Sequence, residues 1–172
     1  MGVSTVAWVR RTLDLDSLRD LPDALSRAYP DPRRTWTWDG WPSEESVAQG
    51  MCSLDGADLS IYPHQDVLML YSRERWRGFL SYADVRERVR VTTAKVLRVI
   101  GATEVIWLPD WFLNDWPEGA ALTIDTVRSR LLADWGPPQP SVDSIEEAVV
   151  LAAERFSPKV WFEESVLQAS NS

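Results

Sequence analysis

Apolar and polar positions along this chain change period every ten to twenty residues. Residues 3–9, VSTVAWV, alternate as an opening strand, whereas LDSLRDLPDALSRAYPDP reads as a helix. Its cap falls near Asp16 or Ser17, because Pro22 is tolerable only in a first turn, and Tyr29-Pro30 ends it. RTWTWDGWP alternates strand-forming types and stops at the Asp39-Gly40 turn; PSEESVAQGM follows as a short helix with Ser43, Glu44 and Glu45 in its first turn. ADLSIYP and DVLMLYS form two strands joined by Pro63-His64-Gln65, short enough for an antiparallel hairpin, and WRGFLSY offers a third.

From Asp84 to Ile100, Val85, Val89, Val96, Leu97 and Ile100 share one helical face, with Asp84 as cap and Gly101 as terminator. The first half of this stretch, VRERVRV, alternates equally well as a strand, so residues 85–91 fit either element. ATEVIWLP is a buried strand bounded by Gly101 and Pro109. ALTIDTVRSRLLADWG places Ile124, Val127, Leu131, Leu132 and Trp135 on one helical face and ends at Gly136. After the stiff PPQPS turn-out come a helix in VDSIEEAVVLAAERF and a strand in PKVWFEE. The pattern predicts one compact α+β or mixed α/β domain over residues 1–166, with a mostly antiparallel or mixed central sheet, about four helices and a polar tail at 167–172.

Composition narrows the function classes. The chain has 172 residues, 45% hydrophobic and 26% charged, a globular balance, and its longest apolar runs fall far short of the ~20 residues that cross a bilayer. No secretory signal opens it, and Cys52 is the only cysteine, so a cytoplasmic location is expected. Only Lys95 and Lys159 are lysines among 18 basic residues, an arginine bias that fits a GC-rich bacterial genome. A net charge of -8 disfavours nucleic acid and anionic membranes as partners and matches a basic protein partner.

Catalytic and cofactor signatures are missing. No Gly-rich phosphate loop is present, and one histidine with one cysteine makes no zinc set, so neither a cofactor nor a metal is expected. His64, near Asp66 and Cys52, reads as a turn histidine, and Cys52 as a small buried hydrophobe. Arg86, Arg90 and Arg98, with Arg88 and Lys95, form two positive stripes on the 84–100 helix, suited to intramolecular acids or an anionic guest.

Ten tryptophans are far above the usual share, and they cluster. WLPDWFLNDW runs off the carboxyl end of the 104–109 strand, where ligands gather in open α/β sheets; Trp36, Trp38 and Trp41 form a second group, the first two on one side of their strand. Trp107 belongs to the core. Trp111, Phe112 and Trp116 are hard to bury together in a segment that must also solvate Asp110, Asn114 and Asp115, so part of this surface should be exposed.

The expected function is a protein-binding module built on Asp110, Trp111, Phe112, Asn114, Asp115 and Trp116, with Trp36, Trp38 and Trp41 as a second patch, masking a basic site on a partner. No catalytic residue is assigned on this reading. The alternative is a hydrolase acting on a small polar or glycan substrate with Asp110 and Asp115 as acid and base and His64 nearby. Self-association through the tryptophan clusters is a third expectation. No motif ties the chain to a family; in general character it looks like the small acidic bacterial immunity or antidote proteins that mask a toxin, an analogy of composition.

Overall fold

The computed structural model describes residues 3–33, 35–117, 119–155 and 158–166, the side chains of Leu113 and Asp115 excepted; the predicted tail at 167–172 lies outside them. The fold is α+β: seven strands form one antiparallel sheet in the order β2-β3-β4-β5-β1-β6-β7. They are β1 (Ser4–Arg10), β2 (Thr37–Asp39), β3 (Ser53–Asp55), β4 (Leu59–Pro63), β5 (Val67–Arg75), β6 (Glu104–Pro109) and β7 (Phe162–Ser165). Seven α-helices accompany them among the described residues: α1 (Leu15–Arg19), α2 (Leu21–Ala28), α3 (Glu44–Ala48), α4 (Trp76–Ser81), α5 (Ala83–Val99), α6 (Ile124–Trp135) and α7 (Glu147–Arg155).

Strand alternation divides the apolar side chains between two cores. Ala7, Val9, Leu68, Leu70, Val105 and Trp107 face one side, where α1, α2, α4, α5 and α7 add Leu18, Leu25, Phe79, Leu97 and Ala153. Val6, Trp8, Val67, Met69, Ile106 and Leu108 face the other, where α6 supplies Ile124, Val127 and Leu131. Each such large side chain removed from water stabilises the fold by about 1.5–3 kcal/mol.

Several local expectations are corrected. The 15–30 helix is two helices: Asp14, rather than Asp16 or Ser17, caps α1 by accepting from the Ser17 amide at 2.8 Å, and Pro22 opens α2 in its first turn. WRGFLSY is α4, not a strand, because Trp76, Phe79 and Leu80 recur at helical spacing and all bury; Phe79 stacks on Trp76 at 5.3 Å and meets Trp107 at 5.4 Å. Residues 85–91 are helix, and Tyr82, not Asp84, stands at its cap without a side-chain bond. The division of the first helix into α1 and α2, together with the helical α4, raises the helix number above the about four expected. Thr123 and Thr126 cap α6 reciprocally, at 2.9 and 3.1 Å.

One polar contact runs through the covered core. Arg90 and Glu164 have side chains 3% and 6% exposed and pair at 2.7 Å, a second Arg90 nitrogen reaches Glu164 at 3.0 Å, and Trp107 Nε1 donates to the same carboxylate at 2.8 Å. Arg90 also reaches Asp143, whose side chain is 66% exposed. The cluster keys the edge strand β7 to α5 and β6. Removing one partner strands a buried charge, so Arg90→Ala or Glu164→Ala should cost about 3–5 kcal/mol in urea unfolding. Asp143→Ala should cost about 1 kcal/mol or less, since water screens that end. Equal losses in all three variants would contradict this assignment.

Candidate acidic and aromatic sheet face

The two sheet faces are unequally covered. On the outer face, α6 lies over β1 and β6, and the 3₁₀ helix Asp110–Asp115 carries Phe112 into the same core. Phe112 meets Trp8 edge-on at 6.1 Å and Trp135 at 5.4 Å, and Trp111 lies 4.9 Å from Trp135. Trp116 donates from Nε1 to the Ala120 carbonyl at 3.3 Å and lies under the Arg130 guanidinium at 5.7 Å. WLPDWFLNDW is thus chiefly a strap that fastens α6 to the sheet.

Beyond β5 the outer face carries no helix among the described residues, since the buried positions of the others belong to the opposite core. Register pairs place Thr37 beside Asp55, Asp55 beside Ser60, and Ser60 beside Tyr71, so these four side chains form one row across β2, β3, β4 and β5. With strands about 4.8 Å apart, the row spans about 14 Å. Tyr62 stands next to it, its ring 5.0 Å from that of Tyr71 at 64°. Thr37 and Asp39 are exposed; Asp55, Ser60, Tyr62, Tyr71 and Asp110 are half-buried.

Asp39, Asp55 and Asp110 bring carboxylates to this face. Among the described residues, none of Asp39, Asp55 and Asp110 joins an ion pair, whereas the predicted basic stripe is largely consumed within the molecule. Arg90 is buried on Glu164, Arg88 pairs with Glu74 at 2.8 Å, and Arg86 donates to the Phe79 and Leu80 carbonyls that end α4. Burial, then the negative charge of Asp110, then Tyr62, push the Tyr71 hydroxyl up to about 12.

The sequence-predicted residues are distributed as follows. Asp110 adjoins the row through Tyr71, and Trp111 and Trp116 are half-buried in the strap. Phe112 is 3% exposed, which removes it from any contact surface, and Asn114 is exposed. The Asp115 side chain lies outside the described residues, so an Asp110–Asp115 pair has no described geometry. Trp36 and Trp38 pack against the opposite core, which separates them from Trp111, while Trp41 is 62% exposed. His64 lies against Gly50 and burial lowers its pKa, keeping it neutral at pH 7; burial raises the Cys52 thiol. No metal-ligating cluster of His, Cys, Asp or Glu occurs among the described residues, and none of their helices is long and apolar enough to cross a membrane.

Sequence reasoning missed Tyr62, Tyr71, Asp39 and Asp55. The alternation of ADLSIYP, which buries Leu59 and Ile61 on one side and turns Ser60 and Tyr62 to the other, carried that signal. Because the folded Tyr71 pKa lies above its free value of 10.0, its stabilising contribution is intact below pH 10 and lost as pH rises toward about 12. Wild type should therefore lose stability over that window more steeply than Tyr71→Phe. In Asp110→Asn, the tyrosinate absorbance transition of Tyr71 should move to lower pH; an unmoved transition would separate the two groups.

Comparison of the chain with protein-family models, with curated proteins and with solved structures finds no match, so its functional reading rests on its own geometry.

Proposed function

We propose that the protein is a binding module that seats a basic surface of a partner protein on the uncovered outer face, in the manner of an immunity or antidote protein masking a basic site. The observation that carries this reading is the row Thr37, Asp55, Ser60 and Tyr71, flanked by Tyr62, Asp39 and Asp110, on a half-sheet that no helix covers among the described residues.

The physics of such a face suits a cationic guest. Three carboxylates that join no ion pair among the described residues, on a chain of net charge -8, attract a basic surface and speed encounter. Two tyrosines add rigid apolar area, ring faces for arginine or lysine, and hydroxyls for hydrogen bonds. Hydroxyls of Thr37 and Ser60 fill the spaces between the acids without adding charge. Trp111 and Trp116 border the face as a half-buried rim rather than forming its centre.

Affinity capture from the native host, followed by calorimetric titration of the captured protein, tests this. A basic partner should bind wild type, and Tyr62→Ala and Tyr71→Ala should each weaken it by about 2 kcal/mol or more. Asp39→Asn and Asp55→Asn should slow association and flatten its salt dependence, with little change in the dissociation rate. Unchanged affinity in the Tyr62→Ala/Tyr71→Ala double variant would remove this face from the interface.

A further inference from the structure

On the covered side of the sheet, two cavities lie next to one another along α5 and share part of their walls. One is bordered by Tyr29, Trp36 and Lys95, the other by Ser72, Arg73, Glu74 and Arg88, and Asp58, Leu59 and Thr92 line both. The second holds about 330 Å³. From Lys95 to Arg88 the groove follows α5 for about 10 Å, at 1.5 Å per residue. It lies on the opposite sheet face from Tyr62 and Tyr71 and is independent of the reading given for them.

Its two ends differ in chemistry. At the aromatic end Trp36 rests on the bare backbone of Gly56: a Cβ there would meet its ring at 2.6 Å, so only glycine admits the ring. Tyr29 lies beside it, 36% exposed, with the Lys95 ammonium 5.8 Å from its ring centre. At the polar end Arg73 donates to the Gly56 carbonyl at 3.2 Å and Arg88 to Glu74 at 2.8 Å, contacts that leave further N–H groups on each guanidinium. The Ser72 oxygen accepts from the Glu74 amide at 3.1 Å, so its hydroxyl hydrogen stays available. Thr92, on the shared wall, adds a second hydroxyl.

We propose that this groove is a binding site for a neutral saccharide. Charge decides against an ionic ligand at the polar end, where Arg73 and Arg88 are balanced by Asp58 and Glu74. A mixture of donors, hydroxyls and carboxylate acceptors matches a ligand that presents many O–H groups, each donating and accepting. A sugar ring also has an apolar C–H face, and the parts of Tyr29 and Trp36 that line the first cavity supply apolar contact for it. The apolar floor from Leu59 with a few placed polar groups is the usual composition of a small-molecule site.

The test is titration of the full chain with cellobiose, maltose and N,N′-diacetylchitobiose, followed by amide NMR and by the Trp36 indole signal. At least one disaccharide should give saturable shifts confined to residues 57–59, 72–74 and 88–96 and to the Trp36 indole. Gly56→Ala, which displaces the ring, should weaken that binding at least tenfold. Thr92→Val, which keeps size and the helix, should weaken it severalfold while leaving the melting temperature close to wild type, so that loss of binding is separated from loss of fold. Absence of saturable groove shifts with all three sugars, or undiminished binding in Thr92→Val, would overturn the proposal.

Discussion

The packing of α6 and the aromatic strap onto half of one sheet face sets the character of this molecule. A seven-stranded sheet presents two apolar faces, and each must be covered or carry polar residues. Trp8, Phe112 and Trp135 form the contact that holds α6 over β1 and β6, and Ile124, Val127 and Leu131 complete the seal. Over β2, β3 and β4 the same face has no helix among the described residues, and its strands turn threonine, serine, aspartate and tyrosine outward instead of valine and leucine. The composition of the strands and the reach of the cover agree.

Charge follows the same division. Ion pairs draw arginines inward or along helix flanks: Arg90 into the core with Glu164, Arg128 against Glu163 and Asp125, Arg10 onto Asp125 at 3.2 Å. Carboxylates outnumber the cations in the chain, 26 to 18, and Asp39, Asp55 and Asp110 are among those that join no ion pair among the described residues. An acidic face with tyrosines at its centre follows from where the arginines are used, not from acidity alone.

Much of the fold was legible in local pattern. Alternation marked β1, two strand-like runs with a hairpin-length connection marked β4 and β5, a short β-branched run marked β6, and helical spacing with its terminal glycine marked α6, because each of these signals lies close together in the chain. The three-residue β3, Ser53–Asp55, was not legible, since so short a strand exists only through its neighbours β2 and β4. WRGFLSY was misread because Trp76, Phe79 and Leu80 satisfy both a strand-like composition and a helical spacing, and core packing decides between them. The tryptophan-rich stretch was visible as unusual, yet its role as a strap depends on Trp135, twenty or so residues later. The row on the outer face depends on the register of four strands and on which half α6 leaves bare, and no local window contains either.

The proposed role of the outer face is to dock a cationic surface. Titration with a hexa-arginine peptide, mapped by amide chemical shifts, tests that most directly. Saturable shifts should concentrate at residues 37–39, 55, 60–62, 71 and 110, with a polyglutamate peptide giving none. Shifts spread evenly over all exposed carboxylates, or centred away from Tyr62 and Tyr71, would contradict it.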